Sequence, residues 1–373
     1  MTAVPRTTRR LAAVLGGVTA LILAAAGCAP AAPQAGGASG SAALEVADTA
    51  PGDITPFCPA EPTKVMYVKS AGGHVWEAIS HAEFAADAAK CPTVEESWYN
   101  GTSGQQGAIA ATNAAVAQGA KVMVISPDFG DSQLPSMRKA MQAGVQVVST
   151  VNDVNGQKGV DYVESLVWDT KAIGEKQAEW LATNVKTGKV AFLGGQPGAP
   201  STQKTFDAFK EALGRLAPQI QLVPDTWVAT NWDAGQKRRA VAGLLAQNGD
   251  YAAFVSDYGA SDVGAVQAIL DAKAPMPAFL NIGSSQAFVC LVQQHNIPWL
   301  GQDGTTRLSA ASLRIGLAAL AGKPSPEPVP YELMVYADTA AGKTPTCDPS
   351  VTPDADLSSS LSVEALKAVL GGT

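Results

Sequence analysis

The stretch QGAKVMVISP at residues 118–127, followed by AGVQVV at 143–148, decides the fold class of this chain. Val122, Met123, Val124 and Ile125 are apolar without alternation and Pro127 stops the run, so Lys121–Pro127 reads as a strand buried on both faces. Before it, Gln105–Gln118 carries apolar residues at helical spacing and ends at Gly119, a C-cap signal. Pro135–Gly144 reads as the next helix and Val145–Val151 as the next strand.

The same unit recurs on both sides. Lys64–Ser70 is a strand, with a helix over Val75–Ala89. After Val151 come helix Thr170–Val185, strand Lys189–Gly194, helix Thr202–Leu216, strand Ile220–Val228 and helix Gly235–Gln247. Strand Ala252–Ser256, helix Ala260–Ala272, strand Ala278–Ile282 and helix Ser285–Gln293 follow, while Glu95-Glu96 falls in a predicted loop. Apolar strands joined by crossover helices specify an α/β fold of doubly wound parallel sheets, with right-handed crossovers and ligands at the carboxyl ends of the strands.

The N-terminus has a different logic. Arg6, Arg9 and Arg10 precede a short apolar core from Leu11 to Ala26, too short for a comfortable bilayer span, so residues 1–27 read as a signal peptide. Cys28, directly after Ala25-Ala26-Gly27, resembles the bacterial lipobox, which implies lipidation of its thiol and an extracytoplasmic protein anchored to the cell membrane. Residues 28–57, rich in Ala, Pro, Gly and Ser, read as a flexible tether. The chain of 373 residues carries a formal charge of −7, or −10 without residues 1–27, which hold three arginines and no acid. A body this acidic excludes nucleic acid and an anionic membrane surface as partners.

Cys58, Cys91, Cys290 and Cys347 remain, an even number in an exported chain, with three possible pairings. A strand at Lys64–Ser70 and a helix returning beside it are both on the order of 20 Å long, which brings Cys58 to Cys91. Cys290–Cys347 follows by elimination. No Cys or His spacing points to a metal.

The pattern of helix, QGA, apolar strand, Ser126-Pro127, helix and Ala143-Gly144-Val145-Gln146-Val147-Val148 resembles the ribose-binding-protein type of sugar receptor, the type I periplasmic binding protein family. FVSDYGASDVGA at 254–265 and the stretch Leu300–Ile315 fit it too, and the resemblance spans about residues 62–340. It implies two lobes joined by three chain crossings, near Asn152, near Gln302 and near Pro326–Pro330, with a sugar between them. The first lobe would comprise 62–152 plus 303–326, the second 153–301 plus 331–347, and 348–373 would be a C-terminal tail.

The resemblance also implies ligand contacts. Ser70 stands at a polar-contact position and Trp76 at an aromatic one in the loop that also holds His74; Trp232 stands in the segment covering the other sugar face. Asp257 and Gln302 match family polar positions, and either Asp128 or Phe129 matches an acidic one. Asn152, Gln203 and Asn281 join them as polar candidates at strand or helix ends. An aromatic sandwich with a polar rim suits a sugar, whose C–H faces are apolar. The arginines usual in ribose and galactose receptors are missing: Gln203, Lys204 and Thr205 stand in the corresponding helix, which points to a neutral sugar, polyol or similar ligand rather than a pentose.

Gly194-Gly195-Gln196-Pro197-Gly198 lacks the lysine and spacing of a phosphate loop and reads as a strand-end turn lining the cleft. Glu77 and His81 read as a solvated pair one helical turn apart. No catalytic residue, cofactor or metal is assigned. The expected function is a monomeric solute-binding lipoprotein delivering its ligand to an ABC permease. A sensory receptor for a membrane signalling protein is the alternative. A surface carbohydrate hydrolase is weaker, for want of a nucleophile and base.

Overall fold

A computed structural model describes residues 52–371; Cys28, the signal peptide and most of the tether lie outside them. Parallel strands β1 (Thr63–Lys69), β2 (Val94–Tyr99), β3 (Val122–Ser126), β4 (Gln146–Val151) and β5 (Glu164–Val167) form one sheet in the order β2-β1-β3-β4-β5. A seven-stranded sheet holds β6 (Gly188–Gly194), β7 (Ile220–Leu222), β8 (Val228–Ala229), β9 (Ala253–Ser256), β10 (Ala278–Ile282), β11 (Trp299–Gln302) and β12 (Val335–Asp338). Its order is β12-β11-β10-β9-β6-β7, with β8 also on β6 and β12 antiparallel to β11. The central strands β3, β4, β9 and β10 are buried almost throughout, as unbroken apolar runs between two helical layers require.

In the first lobe, helices α1 (Val75–Ala88), α2 (Gly104–Ala117) and α3 (Leu134–Gln142) cross between strands. In the second, α4 (Thr170–Asn184), α5 (Pro200–Leu216), α6 (Ala234–Asn248), α7 (Asp262–Ala272) and α8 (Gln286–His295) do the same. Helix α9 (Leu308–Leu320) returns to pack on β3, β4 and α1. Disulfides join Cys58 to Cys91 and Cys290 to Cys347.

Several expectations are corrected. Glu95 and Glu96 lie in β2, an edge strand whose polar sequence hides the apolar signal. The predicted strand Ile220–Val228 is two short strands, β7 and β8, with Pro224 between them. The first lobe does not stop at Asn152, because β5 pairs with β4; the chain crosses at Trp168-Asp169, beside Tyr331, whose N–H donates to the Val167 carbonyl. The tether does not reach Phe57, because Ile54 is wholly buried in the first lobe's core.

The described part of the expected tail, residues 348–371, is likewise packed against the body. The chain pairs with α8's entrance, where Gln286 N donates to Ala355 O and Leu357 N to Ser284 O. Ser358 Oγ then accepts from Gly304 N at the hinge (2.9 Å), and Ser359 Oγ donates to Glu83 of α1 (2.7 Å). Helix α10 (Val363–Leu370) lays buried Leu366 against Ile79 of α1, completing a fourth link between lobes. Leu366→Ala is therefore expected to cost about 2–3 kcal/mol in urea denaturation. A loss under about 0.5 kcal/mol would show that α10 adds nothing to the first lobe.

Candidate functional site

The carboxyl ends of β1, β3 and β4 converge on a buried polar knot. Lys69 Nζ pairs with Asp128 Oδ1 at 2.7 Å, and Asp128 Oδ2 accepts from Ala71 N at 2.8 Å. Asn152 Nδ2 donates to Asp128 Oδ1 (2.9 Å) and to Ser126 Oγ (3.2 Å), while its Oδ1 accepts from Ser201 N of the second lobe (3.1 Å). Asp128 is thus held on both oxygens by protein groups.

Above this floor lies a cavity enclosing about 530 Å³ of empty space, part of it open to solvent. Its aromatic wall is His74, Trp76, Trp168, Trp232 and Tyr258. Each indole N–H is committed to protein: Trp76 to Gly304 O (2.7 Å), Trp168 to Thr305 Oγ (2.9 Å), Trp232 to Asp257 Oδ1 (3.2 Å). What these rings offer a ligand is therefore apolar surface. The His74 ring meets Trp232 edge-on at 6.0 Å, one lobe against the other. Gly195 explains how Trp232 comes so close to the β6 loop, since a Cβ there would lie 2.0 Å from the indole. Asn231 and Trp232 both have left-handed backbones, as does the β-branched Val151 on the cavity wall, so strain concentrates at the cleft.

Of the expected contacts, His74, Trp76, Asp128, Trp232 and Asp257 line this cavity. The other six do not. Asn152 stands one hydrogen bond behind it, and Ser70 is buried with its Oγ accepting from Gln133. Phe129 is absent from the lining, and its backbone N–H is held by Gln133 Oε1. Gln203 lies along the exposed side of α5, bonded to Asp207 and Trp227, while Ser201 faces the cavity instead. Asn281 is enclosed between Asp262 and Trp299, and Gln302 is buried against Gln177. Strand ends locate the loops around this cavity, but which side chain turns inward depends on the opposite lobe.

Lys69, Glu77, Val151, Trp168, Ser201, Tyr258, Ile282 and Gly304 complete the lining and escape the sequence reading. Glu77 had a signal: it lies three residues after His74, the spacing of a capping box, and its Oε2 accepts from His74 N at 2.6 Å. It is buried rather than paired with His81, which stacks on Trp98 at 4.0 Å and meets Glu96. Burial pushes Glu77 up to about 7 and Asp257 up to about 6, and lowers His74.

The periplasmic binding protein domain family matches residues 65–324. A D-ribose/D-allose-binding protein of Pseudomonas aeruginosa is 22% identical over 216 residues, which span 56% of this chain and 66%, just under two thirds, of that protein. A galactofuranose-binding protein superposes with a TM-score of 0.67 at 18% identity, covering 75% of this chain and 96% of that one. A periplasmic solute-binding protein of an ABC transporter from Actinobacillus succinogenes, with bound D-allose, gives a TM-score of 0.66 at 16% identity over 75% and 99%.

The buried carboxyls set a pH dependence. Glu77, Asp257 and Asp356 are raised from 4.5 or 3.8 to between about 6 and about 7, and Glu83 and Asp303 also move up, all led by desolvation. The folded state then binds more protons than the unfolded one, so stability falls as pH rises through this window; His74 opposes only part of this. Calorimetry of the ligand-free protein is expected to give a melting temperature that declines from about pH 4.5 to about pH 7, with a shallower slope for Glu77→Gln. A rising melting temperature over that range would contradict the assignment.

Proposed function

Because this chain belongs to the periplasmic binding protein domain family, we propose that it is an extracytoplasmic receptor that encloses a sugar or sugar-like molecule between its lobes and delivers it to an ABC permease. The observation that carries this reading is the cavity at the strands' carboxyl ends, where tryptophans from the first lobe, the hinge and the second lobe surround a few polar groups. Apolar ring faces against sugar C–H groups, with Ser201 and Asp257 toward hydroxyls, form a site of the right chemistry. The sugars named for the similar proteins support the same class.

The chain's own groups account for closure. Ser201 N reaches Asn152 across the cleft, Lys204 pairs with Asp153, and His74 meets Trp232. A ligand favours this form only through contacts made with both lobes at once, and the closed surface is what a permease would recognise. Lipidation at Cys28 would keep the receptor beside its permease.

Two measurements test the reading. Titration calorimetry over pentoses, hexoses and inositols should find a binder, and Trp232→Ala should weaken it about tenfold through loss of aromatic contact; a change within about twofold would remove Trp232 from the site. In a lipoprotein-processing bacterial host, Cys28→Ala should move the protein from the membrane fraction to the soluble fraction. An unchanged distribution would refute the anchor.

A further inference from the structure

The charges facing the cavity do not balance. Lys69 is the cation of the lining: its Nζ holds Asp128 Oδ1 at 2.7 Å and Ser126 Oγ at 3.3 Å, and its charge only partly offsets the desolvation of Glu77. Two more carboxylates face the same space. Glu77, from α1 of the first lobe, accepts only backbone N–H groups, from His74 and its own residue. Asp257, after β9 of the second lobe, accepts from Trp232 Nε1 on one oxygen, from Thr202 Oγ on the other and from the Gly195 N–H, all of them neutral donors, whereas Asp128 is held by a lysine. Among the described residues neither forms an ion pair; the lysine nearest Asp257 in effect, Lys237, is bound to Asp262 at 2.6 Å.

Burying a carboxylate without an ion pair is costly, and here it occurs twice in the lining of one aromatic-lined cavity, with Lys69 and Lys237 acting on Glu77 and Asp257 only from beyond ion-pair reach. A hydroxyl would donate one hydrogen bond and leave the negative charge uncompensated. An ammonium donates up to three, cancels charge, and is attracted to indole faces. We propose that the ligand is an amino sugar or aminocyclitol whose protonated nitrogen is taken by Glu77 from one lobe and Asp257 from the other. This rests on the sugar-type reading of the cleft and narrows its ligand class. A nitrogen shared between the lobes also supplies the two-lobe contact that closure needs.

Titration calorimetry at pH 7.5 with matched pairs tests it: glucose, galactose and inositol against glucosamine, galactosamine and an aminocyclitol, with the N-acetyl sugars as uncharged controls. The amines are expected to bind about tenfold or more tighter than their parents, and N-acetylation to abolish that preference. Glu77→Gln and Asp257→Asn should each shrink the amine-to-parent ratio to about threefold or less. Cooperative melting of both variants would exclude simple unfolding. Parents binding as tightly as amines, or a ratio that both variants leave unchanged, would overturn the proposal while sparing the sugar reading. If no member of either series binds, the sugar reading fails and the proposal falls with it.

Discussion

Everything at the cleft is built on the buried pair of Lys69 and Asp128. Its two members come from the ends of β1 and β3, Asn152 joins from the end of β4, and Ser201 reaches in from the second lobe. Such a pair is weak as a source of stability, because desolvation offsets most of its attraction. Removing one partner is another matter, since an uncompensated buried charge would remain. The knot therefore sets the alignment of three strand ends and the point at which the lobes meet.

The hinge is more heavily tied than three crossings require. Trp168 and Tyr331 run side by side between lobes, and Arg307 pairs with Asp303 and bonds the Tyr331 hydroxyl. The C-terminal segment adds a further passage, fastened to the second lobe by Cys347 and to the first by the serines on Glu83. Backbone strain at Val151, Asn231, Trp232 and Thr305 sits where these segments meet the cavity. Opening the cleft would thus rearrange a set of specific polar contacts rather than bend a free linker.

The ease with which parts of this structure can be read from sequence follows their burial. Strands such as β3 and β10 are covered on both faces, so their apolar runs stand out. The edge strands β2 and β5 are half-exposed, and a polar sequence such as VEESWY carries no such mark. Ile54 stands in a short polar stretch and Leu366 in a short terminal helix, and only the core they enter explains them.

The sequence by itself determined the α/β class, the parallel central strands and the pairing of the four cysteines. Those properties depend on local periodicity and on element lengths, which neighbouring residues encode. Only the tertiary structure decided that Ser201 and not Gln203 faces the cavity, that Asp128 is held by Lys69 and Ala71, and that Glu77 is buried in the same lining as Asp257. The direction of each of these side chains is set by groups far away in the chain, and no local pattern records what the opposite lobe will bring.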